Sequence, residues 1–172
     1  KLYFLRLNIP LFTKISIPNM RFATETNFVE IYKIFKRNRK FFPNIRISYL
    51  LKSIQQKKCI FNNGVIIIFS IVKSKTKIGK ITTATKSDCH INQILASKND
   101  GSASKLIRQF FSYIYLLPYT SGKIFLNVRN DNFRAMKFYE RNGMKLIDTT
   151  NWKNGLIKGY VYQMKLKKYK IN

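Results

Sequence analysis

The stretch Asn127-Val-Arg-Asn-Asp-Asn-Phe-Arg-Ala-Met-Lys-Phe-Tyr-Glu-Arg-Asn-Gly-Met144 constrains the fold most, because it reads as a strand end, a turn, an amphipathic helix and a glycine stop. Within it Asn132, Ala135 and Tyr139 stand at i, i+3 and i+7, a spacing that puts all three on one helical face. A small alanine between a polar and an aromatic residue would leave room along that face for a ligand chain. Phe138 and Met136 are expected to turn toward the core. An ordinary surface helix with a half-buried tyrosine would show the same spacing, so the motif needs a second feature beside it.

That feature lies upstream. Asp88-Cys-His-Ile-Asn-Gln-Ile-Leu-Ala-Ser97 reads as a strand, and Lys98-Asn-Asp-Gly-Ser-Ala-Ser-Lys-Leu-Ile107 as a loop opening a helix that continues through Phe110, Phe111 and Ile114. A glycine-containing loop at a helix N-terminus is an anion cradle, since the first N–H groups have no intrahelical partner and the helix dipole adds positive potential. A diphosphate would fit there. Gly101 allows a positive φ or close approach, and Ala103 keeps the helix start free of bulk. Asp100 brings a negative charge into the loop and is expected to point outward.

Together the spacings Lys98-x-x-Gly101-x-Ala103 and Asn132-x-x-Ala135-x-x-x-Tyr139, in the order strand, anion loop, helix, strand, helix, resemble the coenzyme-A arm of the GNAT superfamily of N-acetyltransferases. Lys98 departs from the planar side chain usual at its position. The resemblance covers Met20 to Leu166 and implies an α/β fold: a central mixed sheet flanked by helices, in which two adjacent parallel strands splay apart to admit pantetheine. Here those strands would end near Ser97 and Val128. It implies acetyl-CoA as co-substrate and direct attack of a primary amine on the thioester. The implied cofactor-binding set is Ile94, Leu95, Lys98, Asn99, Asp100, Gly101, Ser102, Ala103, Ser104, Asn132, Ala135 and Tyr139. In the same reading a backbone N–H where Asn92 to Leu95 bend away holds the oxyanion, and Tyr139 is the general acid toward the leaving sulfur. The base is sought on the incoming strand, where Asp88 and His90 alternate on one face. Asp88 is the first candidate, and polar residues at a strand edge are the competing reading.

The remaining segments fit one domain, for which 172 residues suffice. Asn27-Phe-Val-Glu30 reads as a capping box before a first helix carrying Phe28, Ile31, Tyr32 and Phe35. A second helix is expected at Ser48 to Gln55. Lys57 to Phe61, Asn62-Asn-Gly64 and Val65 to Val72 read as strand, hairpin turn and buried strand. Lys77 to Thr82 would add another strand. Met144 to Thr149 and Leu156 to Leu166 would close the sheet through a turn at Asn151 to Gly155. Lys1 to Asn19 is expected to lie outside the domain as an extension, and residues 167–172 to form a basic tail.

Lys and Arg number 33 against 7 Asp and Glu, giving net charge +26 and a pI near 10.3. That favours polyanions, including acetyl-CoA itself. The lysines are nevertheless spread along the chain, and abundant Lys, Ile, Asn, Phe and Tyr would also follow from A/T-rich codons, so nucleic acid is a partner this balance allows without favouring. Two cysteines, Cys59 and Cys89, agree with a reducing compartment, and with His90 the sole histidine no metal site is expected. No run approaches the roughly twenty apolar residues of a membrane span, so a cytoplasmic protein is expected. The acceptor is read as a small-molecule or peptide amine, beside Phe41, Phe42, Tyr49, Trp152 and Tyr160. Two alternatives stand beside it: acylation of tRNA or a modified base through the basic surface, and a non-catalytic coenzyme-A-binding module.

Overall fold

In the computed structural model, which describes residues 17–152 and 155–167, two helices begin the chain after a 3-10 turn. These are α1 (Phe28–Arg37) and α2 (Ile47–Gln55). The expected capping box at Asn27 sits one turn earlier: the Thr24 N–H donates to Asn27 Oδ1 at 3.0 Å, so Asn27 closes the 3-10 turn. β1 (Cys59–Asn62) and β2 (Val65–Ile71) form the expected hairpin. Its turn residues Asn63 and Gly64 have φ of 48° and 72°, the left-handed pair that suits the twist of a two-residue hairpin. The segment expected as one strand at Lys77 to Thr82 is instead the turn of a ribbon, β3 (Thr76–Lys77) against β4 (Thr83–Ala84).

β5 (Cys89–Ala96), α3 (Ser102–Leu116), β6 (Lys123–Arg129), α4 (Phe133–Arg141), β7 (Lys145–Trp152) and β8 (Ile157–Lys165) complete the order. The main sheet has six strands in the order β1-β2-β5-β6-β8-β7. All neighbours are antiparallel except β5 and β6. β2 is apolar except at Ser70 because both its faces are covered. Val65, Ile67 and Phe69 meet α3 and α4, whereas Ile66 and Ile68 meet α1 and α2. Among the described residues no helix is long and apolar enough to cross a membrane.

Of the expected extension only Ile17–Asn19 is described, and it lies against the domain. Gln109 Nε2 donates to the Pro18 carbonyl at 2.7 Å, and the Asn62 amide to that of Asn19. Residues 1–16, the tail beyond 167 and the middle of the β7–β8 turn lie outside the described residues.

The ribbon is fastened to β7 by one carboxylate. Asp148 Oδ2 accepts from the N–H groups of Ile81 and Thr82 at 2.9 and 2.7 Å, and Lys80 N–H donates to the Thr149 carbonyl at 2.8 Å. Gly79 makes the approach feasible, since a Cβ there would stand 2.2 Å from Asp148 Oδ2. Burial pushes the Asp148 carboxyl up, but the Ile81 and Thr82 hydrogen bonds outweigh it and hold it at about 2, against an ordinary 3.8. A depressed folded value contributes stability above the unfolded value and loses it as pH falls through the folded one. We expect Asp148→Asn to lower the melting temperature at pH 6 by roughly 3–6 °C. The gap to the wild type should close between pH 4 and 2, as followed by circular dichroism.

Candidate active site

β5 and β6 pair over Cys89–Ile91 and Ile124–Leu126 alone. At that point β5 carries a bulge: Ile91 opposes Phe69 and Gln93 opposes Ile68, leaving Asn92 without a counterpart on β2. One inserted residue reverses the facing of all that follow. Cys89 and Ile91 face α3 before the bulge and Ile94 and Ala96 after it, while Leu95 turns to α1 and α2. Beyond Ile91 the β6-facing edge of β5 therefore borders a gap. The gap opens into a cleft of about 540 Å³, and Ile94, Leu95, Lys98, Asn99, Ala103, Asn132, Ala135 and Tyr139 all line it. The expected cofactor-binding residues Asp100, Gly101, Ser102 and Ser104 do not line this cleft.

Tyr139 is 6% exposed, with its ring 5.8 Å from that of Tyr162. Burial first, and the neighbouring Tyr162 second, raise its phenol well above the ordinary value of 10. The hydroxyl stays protonated throughout the working range, and among the described residues no hydrogen bond to it is formed. Asn132, expected on one helical face with Ala135 and Tyr139, stands just before the helix. It is the N-cap of α4, its Oδ1 accepting from the Ala135 N–H at 3.2 Å, a bond of the kind that stabilises a helix by about 1 kcal/mol. Its amide nitrogen makes no bond among the described residues and remains for a ligand.

At the anion loop, Gly101 has φ +83° and caps α3. A side chain there would meet nothing within 4 Å, so conformation rather than space requires glycine. Asp100 is exposed and does not line the cleft. Its Oδ1 accepts from the Ser102 N–H at 3.0 Å, and the Lys105 N–H goes to the Gly101 carbonyl. The Ala103 and Ser104 N–H groups are left as orphan donors of the first turn. Ser104 Oγ is engaged separately, accepting from Asn142 Nδ2. Arg134 joins Lys98 beside this turn, lining both the main cleft and a smaller one next to it. The sequence reading missed it because it singled out only Asn132, Ala135 and Tyr139 on that helix.

At the crotch of the fork His90 bridges two asparagines that sequence reasoning did not single out as site residues. Its Nε2 is 3.0 Å from Asn127 Oδ1 and its Nδ1 is 2.9 Å from the Asn92 amide oxygen. Asn127 Nδ2 donates to the Ile78 carbonyl at 2.6 Å, which fixes its oxygen toward His90 and makes Nε2 the protonated nitrogen. His90, Asn92 and Asn127 line a second cavity of about 650 Å³, together with Lys77 to Lys80 of the ribbon and Thr150 to Trp152 of β7. Asn92, Asn127 and Trp152 border both cavities. Of the aromatic residues expected around the acceptor, Phe41, Phe42 and Trp152 line the cleft, and Tyr49 and Tyr160 do not.

Asp88, the first candidate for the base, is not at the fork. It is 1% exposed and precedes the paired end of β5. Its carboxylate accepts from the Thr85 N–H at 2.7 Å, the Thr85 hydroxyl at 3.1 Å and the Ser121 hydroxyl at 2.6 Å. Every strong partner it can use is structural, so Asp88→Asn should act on stability rather than on the open cleft. Cys59 and Cys89 are buried free thiols; burial pushes Cys59 up to about 12 and Cys89 higher still.

No protein-family model matches the chain, and no curated protein matches it in sequence. Solved structures do. An acetyltransferase of the GNAT family from Streptococcus agalactiae aligns with a TM-score of 0.67 at 11% identity, over 87% of this chain and 95% of its own. The fold is that of the GNAT N-acetyltransferases. Arabidopsis thaliana NAA60 in complex with acetyl-CoA aligns with a TM-score of 0.65 at 11% identity, over 86% of this chain and 98% of its own. The NatC complex bound to Gag peptide and CoA has a chain that aligns with a TM-score of 0.63 at 13% identity, covering 86% of this chain and 98% of that one. In this GNAT fold the parting parallel strands are β5 and β6.

Trp152, the one tryptophan, borders both cavities and lies against Gly159, where a Cβ would stand 2.4 Å from its ring. We expect Gly159→Ala to displace the indole, shift its fluorescence emission to the red and cost roughly 1–3 kcal/mol in urea denaturation. In the wild type the same emission should change on filling of either cavity.

Proposed function

We propose that the chain is an acetyl-CoA-dependent N-acetyltransferase that moves an acetyl group to a primary amine. The observation that carries this reading is the fork itself: two cavities meet at Asn92, Asn127 and Trp152, so a thioester on one side and an amine on the other share one point of contact. The residues present fit acetyl-CoA. The free Ala103 and Ser104 N–H groups with Lys98 and Arg134 suit a diphosphate. The unpaired edge of β5 from Asn92 onward suits the amides of a pantetheine arm, with the Asn132 amide nitrogen opposite it. Acetyl-CoA supplies an activated acetyl thioester.

Transfer forms one N–C bond, breaks one C–S bond and moves one proton from the amine toward sulfur or solvent. Backbone N–H groups on the β5 edge are preorganised dipoles for the charge that develops on the acetyl oxygen. Tyr139 donates a hydrogen bond to the departing sulfur. Because its phenol is raised above 10 while an ordinary thiol titrates near ~8.5, complete proton transfer to sulfur is uphill, and its contribution is the hydrogen bond in the transition state. His90 replaces Asp88 as the group that takes the amine proton. With Nε2–H donated to Asn127, Nδ1 is the ring nitrogen that receives the proton, and Asn92 Oδ1, 2.9 Å away, accepts the N–H so formed. The amine we favour is a peptide α-amine, in keeping with the Gag peptide held by NatC. With a reference pKa near ~8 it loses its proton far more readily than a lysine side chain near ~10.4.

Calorimetry and a thiol-release assay test this. Acetyl-CoA should bind with an affinity that falls as salt rises, and Lys98→Ala with Arg134→Ala should weaken binding and flatten that dependence. Tyr139→Phe should leave affinity nearly intact and lower kcat by roughly 10²-fold. No heat at millimolar acetyl-CoA would defeat the assignment.

A further inference from the structure

We infer that the acceptor is an acidic peptide, its α-amine directed to the fork and the carboxylates of its first residues held by Lys77 and Lys80. This deepens the transferase reading and rests on it. The chain has seven carboxylate side chains, all within the described residues, and six of them are engaged elsewhere. Glu25 accepts from Gln55, and Glu30 is exposed on α1. Asp88 is buried beyond the closed end of the fork, and Asp100 caps α3. Asp131 is paired with Arg129 at 2.7 Å, Glu140 accepts from the Tyr162 hydroxyl, and Asp148 holds the ribbon.

None of them lines either cavity at the fork. The acceptor side carries Lys77 and Lys80, and the donor side Lys98, Arg134 and Arg141 besides Arg129, which Asp131 already neutralises. An acceptor bearing several ammonium groups finds no counter-charge here and meets charges of its own sign, whereas one bearing carboxylates is attracted from both sides. A cationic surround also disfavours the ammonium form of the attacking amine and so favours the reactive free base. Single exposed lysine pairs are weak, but the net charge of +26 steers in the same direction. Beside the lysines the acceptor wall carries Thr150, Asn151 and Trp152 of β7, and the Asn151 amide, with both a donor and an acceptor, matches a peptide group.

The test uses peptides sharing one N-terminal residue, with acidic, neutral or basic residues at the next three positions, and an amino-sugar phosphate as a non-peptide arm. Thiol release from acetyl-CoA is measured at low and high ionic strength for the wild type and for the Lys77→Glu, Lys80→Glu double variant. Acetyl-CoA binding is followed in parallel by calorimetry. The acidic peptide should exceed the basic one in kcat/KM by about tenfold at low salt. That gap should narrow as salt rises, and the double variant should reverse the order. Equal or reversed preference in the wild type overturns the inference, as does an unchanged order in the double variant. Preferred acetylation of the amino-sugar phosphate overturns the peptide class. Acetyl-CoA binding with none of the acceptors acetylated overturns the inference alone, whereas failure to bind acetyl-CoA overturns the transferase reading beneath it.

Discussion

Parallel pairing of Cys89–Ile91 with Ile124–Leu126 holds β5 and β6 together, and the site exists because that pairing stops there. The bulge at Asn92 both ends it and corrects the facing of the strand, so that Ile94 and Ala96 continue the apolar surface against α3 while Leu95 fills the opposite layer. An unpaired strand edge is ordinarily a liability that attracts other chains. Here it is enclosed between α4 and the loop before α3, where a ligand backbone is what it can pair with.

The acceptor side is held by a chain of polar contacts. Asp148 fixes the ribbon to β7, the ribbon presents the Ile78 carbonyl, that carbonyl fixes Asn127, and Asn127 sets the tautomer of His90. The chemistry proposed for the fork is therefore coupled to the packing of a two-stranded ribbon that contributes no reacting atom.

The site was legible in the sequence where a single element carries it. The helix bearing Ala135 and Tyr139 and the loop at Gly101 follow from spacing within one segment, and the structure brings both to one cleft. What sequence could not supply depends on pairing between segments. Nothing in Ile91-Asn-Gln-Ile94 distinguishes a bulge from regular alternation until β2 is laid beside it. Alternation put Asp88 and His90 on one face, but which end of β5 is closed depends on where β6 begins. The Asp148 anchor and the Asn127 amide likewise act across 67 and 49 residues. A short polar contact misled as well: the reciprocal cap before α1 fell at Thr24 rather than Asn27.

Both cysteines lie under the sheet's helices, protonated and shielded from solvent. Under the proposed transfer, which liberates a thiol at each turnover, the protein thus keeps its own sulfur out of exchange with the product, and mixed disulfides have no folded-state foothold. A thiol-reactive dye added to the native protein reads released coenzyme alone. The same dye added after denaturation counts the polypeptide through its pair of thiols, so that one reagent gives turnover and enzyme concentration on a common scale.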